Sequence, residues 1–233
     1  MFRIVKAHKR HFSDLEWLKT YWLFSFSDYY DPNNVQFGAL RVFNDVVVQP
    51  GAGFPSHPHR EMEIVSIVLS GELTHEDGMG NRGVIRAGEV QRMSAGTGVV
   101  HSESNRGDQP VHFYQIWFLP RTPGLEPSYD QKSFAGVSRQ NRLLPVASGQ
   151  GLPDAVTFET PATLYLSDLE AGHSLDFHTR EGRGVFVYVT EGELDVNGWG
   201  LQSEDQARIT GETAFQFEAI SPASFVLIDV PLR

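Results

Sequence analysis

The chain is written in short apolar runs, not in long amphipathic stretches. Ile64-Val65-Ser66-Ile67-Val68-Leu69 is apolar and β-branched, and Ser70-Gly71-Glu72 turns it. Leu73 to Glu76 and Gly83 to Arg86 flank Asp77-Gly78-Met79-Gly80-Asn81, a composition that predicts a hairpin. Ala87-Gly88-Glu89 turns the chain again, and Val111 to Leu119 reads as a further strand. Phe37 to Val48 reads as a strand or two, broken around Asn44-Asp45, and Leu15 to Phe26, dense in aromatics, reads as buried structure packed on the first domain. Short strands at close spacing with glycine turns predict an all-β chain of sandwich or barrel type.

Arg121 to Pro127 is interrupted by Pro and Gly and reads as a connector, and the chain stays loop-like through Pro153. A domain boundary therefore falls between residues 121 and 150, drawn here as 1–135 and 136–233. Strands resume at Leu164-Tyr165-Leu166, Val185 to Val189, Leu194 to Val196 and Phe225 to Val230. The two halves match each other. An offset of 121 places Gly51 on Gly172, His57 on His178, Gly71 on Gly192, Glu72 on Glu193 and Leu73 on Leu194, with no gap. This predicts two copies of one barrel.

Composition removes several classes of function. Among 233 residues, 40% are hydrophobic and 21% charged, the balance of a folded domain, and no apolar run is long enough to span a bilayer. Cysteine is absent, which excludes disulfides, thiolate nucleophiles and zinc-thiolate sites. Net charge is −10 and no basic stripe occurs outside Lys6 to His11, so direct nucleic-acid binding is not expected. That basic cluster reads as solvated surface. Asp14 and Glu16 follow it, not an apolar run, so it is not a secretory signal, and a cytoplasmic monomer is the expectation.

Two motifs carry chemistry. His57-x-His59 and His101-x-Glu103 each place two polar ligands two residues apart, on one face of a strand. If the two strands face each other inside a small barrel, three imidazoles and one carboxylate converge. Iron, manganese, nickel, copper or zinc can fill such a divalent site. A lone His-x-His is as readily a pair of surface histidines; two such pairs, each just after Gly/Pro punctuation, favour the metal. His75, beside the predicted hairpin turn, reads as exposed and is not counted. In the second half His59 falls on Arg180, Glu63 on Gly184, and no His-x-Glu occurs, so His178 stands alone and no metal is expected there.

Pro50-Gly51, His57-x-His59, Glu63 and Gly71, followed by Gly88 through Gly96 to His101 and Asn105, resemble the two motifs of the cupin superfamily. More narrowly, Ser25 to Tyr30, Phe37 to Val42, His57 to Ile64 and Met93 to Glu103 resemble pirin and the bacterial pirin-like quercetinases. The resemblance covers most of residues 20 to 119 and weakens beyond them. It implies a bicupin, two double-stranded β-helix (jelly-roll) barrels in tandem, with metal in the first only. It places the ligands at His57, His59, His101 and Glu103, with Glu61 and Glu63 not ligands but residues that support the site from behind or lie at the surface. It implies one divalent ion, Fe(II) first, with Cu, Ni, Mn, Co or Zn as alternatives. Two functions follow from it. One is a flavonol 2,4-dioxygenase that opens quercetin with O₂ and releases carbon monoxide, Glu103 exchanging a proton with the substrate. The other is a metal-dependent regulator or redox sensor that binds protein partners. Aromatic residues lining the barrel would bury a flat ligand; Phe54 and Tyr114 are the candidates, and the sequence alone does not say which of them faces inward.

Overall fold

A computed structural model of the chain describes residues 1–232. In chain order its first strands are β1 (Phe2–Val5), β2 (His11–Asp14), β3 (Leu18–Trp22), β4 (Leu40–Val48), β5 (Gly53–His59), β6 (Glu63–Ser70), β7 (Glu72–Asp77), β8 (Arg82–Arg86), β9 (Glu89–Ser94), β10 (Val99–Ser104), β11 (Val111–Phe118) and β12 (Ser128–Ser133). The chain continues with β13 (Leu144–Ser148), β14 (Val156–Thr157), β15 (Thr163–Leu169), β16 (Ser174–His178), β17 (Arg183–Glu191), β18 (Glu193–Val196), β19 (Trp199–Gln202), β20 (Gln206–Thr210), β21 (Ala214–Ala219) and β22 (Ala223–Pro231). The described residues contain no α-helix, and so none that could cross a membrane.

The strands form two jelly-roll barrels. In the first, a seven-stranded sheet ordered β12-β9-β6-β11-β4-β3-β2 faces a four-stranded sheet ordered β5-β10-β7-β8. In the second, the sheets run β1-β20-β17-β22-β15-β13-β14 and β16-β21-β18-β19, with equivalent strands in equivalent places. The turn glycines show the same duplication. Gly71 and Gly192 both have positive φ, 73° and 81°, and a Cβ on either would collide with a proline carbonyl, Pro110 and Pro222 respectively.

The apolar run of β6 does not alternate because both of its faces are covered. Ile64 and Val68 point into the first barrel, whereas Val65 and Ile67 join a core between the barrels. That shared core packs Phe24, Phe43 and Ile116 of the first half against Leu164, Phe186 and Ile228 of the second. Burying side chains of this size stabilises the fold by about 1.5–3 kcal/mol each. Phe24 reaches Phe186 at 5.9 Å between ring centroids, so the aromatic segment before β4 bridges both barrels and does not pack on the first alone.

Several local expectations are corrected. β4 runs unbroken through Asn44-Asp45, because Asp45 accepts hydrogen bonds from His112 at 2.6 Å and from the Tyr188 hydroxyl at 3.0 Å. The stretch expected to be loop contains β12 and β13, whose backbones pair with β9 and β15. The polar sequence of β12 hides it because its pairing is made by main chain at a sheet edge. Residues 2–5, counted above with the first half, form an edge strand of the second barrel's sheet, with Phe2 opposite Ile209. The basic segment is exposed at Lys6, His8, Lys9 and His11, as expected, but Arg10 is not. Lys6 pairs with Asp205 at 2.8 Å, and Arg10 pairs with Glu204, donates to the Tyr188 hydroxyl at 2.7 Å and covers the Tyr21 ring.

Candidate metal centre

β5 and β10 lie side by side and antiparallel, with His101 directly opposite His57. The alternation of β5 turns His57 and His59 to one face. The candidate ligand atoms of His57, His59 and His101 all lie within 4.8 Å of one another. A register shift in β10 falls between His101 and Glu103. Glu103 forms a second cluster of the same tightness with His101 and His75. The structure thus brings the three predicted histidines together and joins Glu103 to them through His101.

Glu103 is held on both oxygens. Gln91 Nε2 donates to Oε1 at 2.7 Å, and Gln115 Nε2 donates to Oε2 at 2.6 Å. Burial pushes the Glu103 carboxyl up to about 7, against the hydrogen bonds from Gln115 and Gln91. Burial also lowers His59 to about 4, with a further push from His57. His101 falls to about 2, through burial first and then through the neighbouring histidines. These rings are neutral at ordinary pH, the state in which imidazole binds a metal.

The donor set fits a divalent ion. His57 Nδ1 lies 2.7 Å from the Pro55 carbonyl, which only accepts, so in the neutral ring this nitrogen carries the proton and Nε2 keeps the lone pair. That lone pair faces His101 Nε2 across 3.0 Å. Two nitrogens so spaced match neighbouring positions on an octahedral ion with bonds of about 2.1 Å. Imidazoles with one carboxylate suit iron, nickel, copper or zinc.

Other expectations change. His75 is fully buried, not exposed: its ring stacks on Tyr129 at 4.6 Å and contacts His101. The pairing of β7 with β10, which sets His75 opposite Glu103, draws it inside. Tyr114 does not line the barrel. On β11 the odd positions face inward, so Gln115 reaches Glu103 while Tyr114 packs on Phe43 and Tyr188 between the barrels. Trp117, in phase with Gln115, meets His59 edge-on at 4.8 Å. Phe54, opposite Glu103 on β10, does pack against the first barrel's core, beside Trp17. Glu63 is buried and accepts from the Ser94 hydroxyl, whereas Glu61 accepts from the Gly124 backbone; neither joins the cluster. His178 is exposed at the end of β16, and the corresponding interior is filled by Phe177, Phe215 and Phe217.

The fold is that of a bicupin. The family profile described as Pirin matches residues 5–118, and that described as Quercetinase C-terminal cupin domain matches residues 145–230. A pirin-like protein of Caulobacter vibrioides is 39% identical over 93% of this chain and 94% of its own length. A quercetin 2,3-dioxygenase of Escherichia coli K12 is 38% identical over 99% of both. The crystal structure of the bacterial pirin YhhW from Escherichia coli in complex with nickel(II) superposes with a TM-score of 0.93, at 36% identity over 99% of each chain. The chain belongs to the pirin family.

Proposed function

We propose that the chain is a metal-dependent dioxygenase that opens the ring of a flavonol such as quercetin with O₂ and releases carbon monoxide. The observation that carries this reading is the convergence of three imidazoles at the wall of one barrel, with a buried carboxylate joined to them through His101. His57, His59, His101 and Glu103 would hold one divalent ion, with Fe(II) the first choice. The ion, when bound, supplies a Lewis acid and a template for a chelating, anionic substrate beside O₂.

The chain's own groups do the rest. Glu103, raised towards neutrality, is poised to accept a proton from a substrate hydroxyl and to return it. Gln91 and Gln115 fix the carboxylate's orientation. Trp117 offers an aromatic face next to His59, and Phe26 meets Trp117 edge-on at 4.9 Å. Together these rings favour a flat aromatic ligand. The Escherichia coli relative named a quercetin 2,3-dioxygenase supports the substrate class. The test is oxygen uptake with a flavonol panel, using protein loaded in turn with iron, nickel, copper, manganese and cobalt. Loss of flavonol absorbance with matching O₂ consumption is expected; no uptake with any metal overturns the proposal.

A further inference from the structure

We infer that His75 and Asp77 are positioning residues that set the tautomer of His101 and thereby aim its Nε2 lone pair at the metal. This rests on the metal reading above. β7 lies beside the ligand strand, with Asp77 opposite His101 and His75 opposite Glu103. Three side chains then form a line. Asp77 Oδ2 lies 3.2 Å from His75 Nε2, and His75 Nδ1 lies 3.3 Å from His101 Nδ1. The His75 and Asp77 side chains are shut off from solvent.

The proton positions along this line follow from its far end. Asp77 Oδ1 accepts the backbone N–H groups of Met79 and Asn81, and Oδ2 accepts the Asn81 amide. Both oxygens are acceptors, so His75 Nε2 must donate to Asp77. A neutral His75 ring then presents a lone pair at Nδ1. The facing His101 Nδ1 must be the donor, which leaves the His101 lone pair on Nε2. The Pro55 carbonyl imposes the same outcome on His57. With both rings neutral, two lone pairs are therefore held 3.0 Å apart. A cation between them relieves that contact.

The hairpin turn 77–81 thus acts on the metal through two imidazoles. Outer partners of this kind fix ring orientation and ligand basicity, and their loss costs about 10–100-fold in metal affinity. Asp77→Asn is the discriminating change. The Met79 and Asn81 N–H groups keep the amide oxygen at the Oδ1 position, so the NH₂ faces His75. That reverses every donor in the line and puts the His101 proton on Nε2.

The experiment has two readouts. In ¹⁵N-histidine-labelled, metal-free protein, long-range ¹H–¹⁵N spectra should show His101 protonated on Nδ1, and Asp77→Asn should move that proton to Nε2. In titrations with nickel(II) alone, Asp77→Asn and His75→Leu should bind about 10–100-fold more weakly than the parent. His75→Gln, which can keep an acceptor oxygen towards His101 Nδ1, should stay close to the parent. A parent that binds no nickel overturns the metal reading. A parent that binds nickel while carrying the His101 proton on Nε2, or whose affinity is unmoved by Asp77→Asn and His75→Leu, overturns this inference alone.

Discussion

His57 and His101 face each other across two antiparallel strands, Nε2 to Nε2, at 3.0 Å. Neither side chain alone makes the site; the spacing does. His101→Ala removes the one residue that belongs to both ligand clusters. Metal affinity should fall by more than the roughly 10–100-fold expected for an outer-shell change. Elemental analysis after dialysis checks this against a parent expected to hold one ion per chain.

Glu103→Gln separates binding from turnover. The amide keeps the shape and can still be met by Gln91 and Gln115 after one of them flips, but it cannot take a proton. Flavonol turnover should fall by about 10²–10⁴-fold, the usual contribution of a positioned acid–base group. Much of the metal should remain. Oxygen-electrode rates and metal content measured on the same sample decide it.

The same substitution has a pH signature in the metal-free protein. Glu103 ionises near 4.5 when unfolded and at about 7 when folded, because burial opposes its charge. Below 4.5 it is neutral in both states and carries no penalty. Between 4.5 and 7 the folded state holds the extra proton, so stability drops as pH rises, and above 7 the full penalty stands. Metal-free Glu103→Gln should therefore exceed the parent by on the order of 3 kcal/mol at pH 8, with the gap closing by pH 4. Urea melts at the two pH values measure it.

Arg10→Ala should weaken the junction between the barrels without touching the metal. The Arg10 side chain is 2% exposed, pairs with Glu204, donates to the Tyr188 hydroxyl and lies 4.0 Å over the Tyr21 ring. Losing these contacts should cost about 2–4 kcal/mol. Thermal melting should move down while nickel affinity stays at the parent value.

His178→Ala tests the second barrel. His178 is solvent-exposed opposite Ala214, above a phenylalanine-filled interior. Metal content should be unchanged and stability should stay within about 0.5 kcal/mol of the parent. Loss of metal in a folded variant would contradict a site confined to the first barrel.

Local signals carried much of this structure in the sequence. The 77–81 hairpin, the glycine turns and the 121-residue offset are short-range patterns, and each has its counterpart in the strands. The clustering of His57, His59 and His101 follows from alternation once two strands are set side by side. His75 was not legible, because its burial depends on the pairing of β7 with β10, more than twenty residues away in sequence. Gln91 and Gln115 were missed for a related reason: glutamine carries no metal signal, and only the inward phase of β9 and β11 brings them to Glu103. β12 is polar and β1 pairs across almost the whole chain, so no apolar period marks either.

The pairing of β1 with β20 also bears on how the molecule is made and cut. During synthesis, residues 2–5 emerge long before their partners at 206–209. That strand must wait unpaired until the strands from β2 to β20 have been made. Conversely, scission between the barrels would leave one fragment with an orphan strand and the other with an uncovered sheet edge open to association. Despite its duplicated architecture, the chain does not divide into two self-sufficient pieces at its midpoint. Residues 2–5 are a structural part of the second barrel.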